Sequence, residues 1–176
     1  MDELRARMLE LADAGEADAL AALVADRGAT LRGDARASWE AGWLLMRVGR
    51  AEAGVPWMRH AAELRPDQAV MRWGLGAVLA EADRPAEAEV ELLRAIALSD
   101  AHLAREELAW LYLRTDRGPE AERILREGVR LEPEDPERPR ALADLLEDRG
   151  ATDEAARWRE RAGALRARRS ARPETT

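Results

Sequence analysis

Apolar and polar residues alternate along this chain with a helical period, and turn residues interrupt that period at regular intervals. Ala41, Leu45 and Val48 form one apolar stripe, and Leu75 with Leu79 and Leu108 with Tyr112 form its equivalents further along. One set of interruptions, Gly15-Glu16, Gly49-Arg50, Asp83-Arg84-Pro85, Asp116-Arg117-Gly118-Pro119 and Gly150-Ala151, is spaced 34, 34, 33 and 34 residues apart. A second set, Arg65-Pro66-Asp67, Ser99-Asp100 and Glu132-Pro133-Glu134, falls between them. Each period therefore holds two segments of roughly a dozen residues, a length suited to helices. The pattern predicts an all-α chain of about five consecutive helix pairs. Their bounds fall near 1–34, 35–68, 69–101, 102–135 and 136–169.

Small residues recur at matched places inside these pairs. The second period has Ala41-Gly42 and Leu45, then Gly54, Met58, Ala61 and Pro66; the third has Leu75-Gly76, Leu79, Ala88, Leu92 and Ala95, with Asp100 in place of proline. The fourth has Leu108-Ala109, Tyr112, Ala121, Leu125, Gly128 and Pro133. This spacing resembles the tetratricopeptide repeat over residues 35–167, whereas the first 34 residues match poorly because Met8, Leu20 and Arg27 stand where small residues belong. The resemblance implies a right-handed α-solenoid forming a single repeat domain over 1–169. Gly42, Gly76 and Ala109 on first helices, with Ala88, Ala121 and Ala155 on second helices, would let paired helices approach closely.

A stack of such pairs needs an altered last unit that presents a polar outer side. Arg159 stands where Met58, Leu92 and Leu125 stand earlier, so residues 153–169 read as a capping helix covering Leu142, Leu145 and Leu146, and 170–176 as a loose tail. The other reading of the last helix is a seat for a further subunit, possible in a homo-oligomer.

Composition narrows the chemistry. The apolar share, 47%, is dominated by Ala and Leu, with two Ile and no Phe, which favours helix over sheet. With no cysteine, disulfides, thiolate metal sites and thiol catalysis are excluded. The net charge of −7, with every basic residue an arginine, argues against a nucleic-acid partner. Neither a basic leader nor an apolar run of spanning length is present, so no membrane association and a cytoplasmic place are expected. Abundant Ala and Arg without Lys or Asn looks like a GC-rich bacterial coding sequence.

Catalytic patterns are missing. His60 and His102 are isolated, Ser38, Ser99 and Ser170 sit in no nucleophile turn, and Gly74-Leu75-Gly76 lies inside a helical pattern, not after a strand. Pairs such as Glu106-Glu107, Glu147-Asp148 and Asp153-Glu154 read as solvated helix faces. The expectation is a non-enzyme without metal or cofactor.

The tryptophans remain. Six Trp accompany one Tyr, and the resembled family's aromatic packing slot is held instead by Ser38, Arg72, Arg105 and Pro139. Trp39 and Trp73 come one residue later, about 100° around the helix. Trp43 and Met46 continue a second stripe from Trp39, and Trp110 and Leu113 occupy the places of Trp43 and Met46 two repeats on. In proteins resembling this family the first helices line a peptide-binding groove. That resemblance implies a floor of Trp39, Trp43, Met46, Val70, Trp73, Trp110 and Leu113, with Arg36, Arg47, Glu81, Glu106 and Arg114 as charged points. The matching places of the last repeat, Glu137, Arg140, Asp144, Glu147 and Asp148, would end that floor in an acidic rim.

The same tryptophans could instead fill gaps in an alanine-rich core, as Trp57 and Trp158 on second helices are expected to do. Two functions fit a groove: a scaffold holding an apolar or amphipathic segment of a partner protein, or an accessory or catalytic protein holding a small aromatic or cationic ligand.

Overall fold

The computed structural model describes residues 2–99 and 102–170. All regular structure among them is helical: α1 (Asp2–Asp13), α2 (Ala17–Asp26), α3 (Gly28–Leu31), α4 (Ala35–Arg47), α5 (Ala51–Leu64), α6 (Ala69–Glu81), α7 (Pro85–Leu98), α8 (His102–Arg114), α9 (Gly118–Leu131), α10 (Glu137–Asp148) and α11 (Thr152–Ser170). None is long and apolar enough to cross a membrane. The chain forms two compact units, Met1–Ser99 and Asp100–Thr176.

Every first helix ends in the same way. Gly15, Gly49, Asp83, Asp116 and Gly150 all have positive φ, between 58° and 79°. After each, the next amide reaches back to the carbonyl five residues earlier: Glu16 to Leu11, Arg50 to Leu45, Arg84 to Leu79, Arg117 to Tyr112 and Ala151 to Leu146. This left-handed cap satisfies carbonyls that the helix end would leave orphaned, and it turns the chain sharply into the second helix. Glycine adopts that conformation freely, and aspartate is among the few side chains that tolerate it. The turn spacing read from the sequence is therefore the spacing of one backbone motif.

In the first unit α4 pairs with α5 and α6 with α7, while α1, α4 and α6 lie side by side. Gly42 and Gly54 bring α4 and α5 into backbone contact: a Cβ on Gly54 would sit 2.6 Å from the Gly42 carbonyl oxygen. A Cβ on Gly76 would sit 2.6 Å from Leu92 Cγ, which ties α6 to α7 in the same way. Leu45, Met58, Leu75, Leu79 and Leu92 are fully buried along these seams. The family's packing slot is polar here yet satisfied: the Ser38 hydroxyl donates to the Leu31 carbonyl at 3.0 Å, and Arg72 binds the buried Glu91 at 2.9 Å.

The first repeat departs from the others. Its second helix stops at Asp26, and the chain resumes as the short α3. The turn at Gly28 packs against Trp57, whose ring lies 3.4 Å from where a Gly28 Cβ would be. Trp57 is buried, as expected of a packing residue.

In the second unit α8 pairs with α9 and α10 with α11. Leu142, Leu145 and Leu146 of α10 are buried, as are Ala155, Ala162 and Leu165 of α11. The outer side of α11 is polar, and Ser170, expected in the tail, is its last residue, its hydroxyl donating to the Arg166 carbonyl at 3.1 Å. Residues 171–176 of the expected tail lie outside the described residues.

Ion pairs tie successive repeats together within each unit. Arg59 to Glu87 (3.1 Å) joins α5 to α7, and Arg126 to Glu154 (2.7 Å) joins α9 to α11, each spanning 28 residues. Arg47 to Asp13 (2.9 Å) joins α4 to α1, and Arg140 to Glu106 (3.2 Å) joins α10 to α8, each spanning 34. The exposed pairs among these are worth about 0–1 kcal/mol each, so they tune register more than they hold the fold.

Candidate functional site

The structure gathers three of the sequence-selected tryptophans in the first unit. Trp39 and Trp43 stand one turn apart on α4 and stack nearly parallel, with ring centroids 5.2 Å apart and planes 9° from parallel. Trp73, on the neighbouring first helix α6, meets Trp43 at 5.3 Å and Trp39 at 6.4 Å. All three are half-buried, which falls between the exposed groove and the closed core weighed from the sequence.

Gly74 makes the arrangement possible. A Cβ there would lie 2.3 Å from Trp39 Nε1 and 3.1 Å from the two ring carbons bonded to it, so the nitrogen edge of the indole comes up against the α6 backbone. A glycine inside a helix costs about 1 kcal/mol relative to alanine, and here it gives the ring a place. The indole nitrogens of Trp39 and Trp73 are buried with no hydrogen-bond partner. Each such donor costs about 1–3 kcal/mol, an expense that core packing alone could have avoided with leucine.

Beside the cluster, α1 and α4 enclose a pocket of about 210 Å³ lined by Met8, Leu9, Trp39, Trp43 and Leu44, with Arg5, Glu40 and Arg47 at its polar side. Leu9 is 45% exposed and Val70, near the start of α6, 48%. Glu40 is clasped by Arg5 through two nitrogens and by Arg36 at 3.0 Å. Met46 is half-buried on α4, Arg36 and Arg47 are exposed, and Glu81 is exposed at the end of α6.

The remaining expected residues belong to the second unit. Trp110 is 42% exposed on α8, with Leu113 half-buried and Arg114 exposed one turn further on. Glu106 is half-buried, and burial pushes its carboxyl above the usual range against the opposing pull of Arg140. Arg140 also binds Glu137 and Asp144, both at 2.8 Å. Side chains from α11 join this network, Arg166 to Glu137 at 2.8 Å and Arg159 to Glu147.

Sequence reasoning missed Arg5, Leu9, Glu40 and the role of Gly74. The poor match of the first repeat hid the contribution of α1. The glycine inside α6 was the available signal, since an interior helical glycine marks close approach. Among the described residues no group of three or more His, Cys, Asp or Glu is placed to hold a metal.

No protein-family model matches the sequence, and no curated protein matches it. Solved structures do match. A putative kinesin light chain with nearly identical TPR-like repeats from Podosopora anserina is 17% identical at a TM-score of 0.70, over 96% of this chain and 95% of that one. MamA is 18% identical at 0.64, over 92% and 95%, and pilF of Pseudomonas aeruginosa is 19% identical at 0.64, over 93% and 77%. The recurrent left-handed caps, the paired helices and these likenesses together give the chain a tetratricopeptide-repeat-like fold.

Proposed function

We propose that the chain is a protein-interaction scaffold that holds an apolar or amphipathic segment of a partner protein on the first-helix face of its N-terminal unit. The observation that carries this reading is the stack of Trp39, Trp43 and Trp73, left half open beside a small apolar pocket. Aromatic residues fixed in one place lose little entropy on binding and dominate interface energetics. The reading also accounts for the two orphaned indole N–H groups, which a site selected for stability alone would not retain.

A random peptide library displayed on phage and selected on the full chain tests this. Enriched peptides should bind the native protein and lose affinity about tenfold or more to Trp43→Ala, compared under conditions where circular dichroism shows both proteins folded. No enrichment, or enriched peptides indifferent to Trp43, would remove the proposal.

A further inference from the structure

The pocket beside the tryptophans carries information about what the partner segment looks like, an inference that rests on the scaffold reading above. Its volume, about 210 Å³, is below the roughly 300–1,000 Å³ of small-molecule sites, and it suits one bulky side chain. The floor, made by Met8, Trp39, Trp43 and Leu44, is apolar, so that side chain is apolar too.

The polar side of the pocket is rich in donors and short of acceptors. A guanidinium offers five N–H donors, and a carboxylate accepts at about four positions. Glu40 already accepts two bonds from Arg5 and one from Arg36. Arg47, the other arginine lining the pocket, spends only one terminal nitrogen, on the largely exposed Asp13. Asp34, the next carboxylate along, is engaged by the first turn of α4, where it accepts from the Arg36 amide at 3.0 Å. A basic flank on a partner would have to displace Arg5 or Arg36 from Glu40. An acidic flank would meet the Arg47 guanidinium, which has donors to spare, and charge-assisted bonds of that kind are the strong ones.

We propose that the partner segment inserts one bulky apolar side chain between α1 and α4 and carries Asp or Glu beside it, bound by Arg47. Arg5 holds Glu40 in place and so keeps this carboxylate from competing.

The test is an array of hexapeptides, each with one Leu, Phe or Trp flanked by Glu, by Gln or by Lys, probed with the full chain and followed by fluorescence titration of the retained members. Glu-flanked peptides should bind about tenfold tighter than their Gln counterparts. That preference should shrink in Arg47→Gln and in about 0.5 M salt, where the screening length falls to a few ångströms. Equal or tighter binding of the Gln or Lys sets would overturn the acidic-flank inference while leaving the scaffold reading in place. If no peptide is retained, or if Trp43→Ala retains the same ones, the scaffold reading itself falls.

Discussion

Trp39 and Trp73 are 34 residues apart on successive first helices of one unit, and Glu106 and Arg140, also 34 apart, hold the corresponding places in the other. In the first unit that place is filled by aromatic contact at 6.4 Å, in the second by an ion pair at 3.2 Å that opens into a network with Glu137 and Asp144. The backbone and the buried seams are alike, with Leu75 and Leu79 matched by Leu108 and Tyr112. The scaffold therefore does not dictate this face. One unit invests in desolvated aromatic surface and bears two unsatisfied indoles; the other pairs its polar groups with one another. The first arrangement gathers aromatic surface at this place, whereas the second spends it on charge.

The largest expected effect separates the cap from this face. Deleting 152–170 uncovers Leu142, Leu145 and Leu146, each worth about 1.5–3 kcal/mol of burial, so the second unit should lose its amide-exchange protection along α10. Protection that survives the truncation would mean that α11 is not its cap. Next in size is Trp39→Ala, which empties a half-buried site between two rings and the Gly74 backbone. A loss of about 2–4 kcal/mol in urea is expected, against under about 1 for the exposed Trp110→Ala. Equal losses would erase the contrast between the two units.

Gly74→Ala sharpens it further. The helix gains about 1 kcal/mol in propensity but the ring must move, at a cost of about 1–3, and the near-ultraviolet circular dichroism of the Trp39–Trp43 stack should change. An unchanged spectrum would show that the indole does not rest on α6.

The smallest effect is electrostatic. Hydrogen bonds from Arg166 and Arg140 hold Glu137 below the ordinary carboxylate range, and those from Arg126 and Trp158 do the same for Glu154. Their contribution is present above the ordinary carboxylate pKa and is lost as pH falls through the lowered values. Glu106 runs the other way, since its raised pKa makes protonation favour the folded state as pH falls. Urea midpoints followed into acid should decline with a slope that steepens in Glu106→Gln, where the opposing group is gone. A slope unaltered by that change would show the two effects to be unconnected.

Much of the fold was legible because it depends on local chemistry. Positive φ demands Gly or Asp, and close helix approach demands Gly or Ala, so both leave marks at fixed spacing. The aromatic site was legible only in part. The displacement of Trp39 and Trp73 from the packing slot announced a second face, but which rings touch depends on how α4 and α6 lie together. Arg5 and Leu9 were hidden because the first repeat is recognised by its place in space and not by its residues. They stand 34 positions before Trp39 and Trp43, on the same register.

The identical helix-end turns also bear on how such a chain can change length. An insertion of one or two residues within a helix would rotate every later side chain out of its seam and part Arg59 from Glu87 or Arg126 from Glu154. Duplicating or excising a whole stretch from one left-handed cap to the next would keep the recurring buried seam residues in register. The chemistry of the turn thus sets the smallest increment by which this architecture can be lengthened without being rebuilt, and it leaves the faces between turns free to diverge.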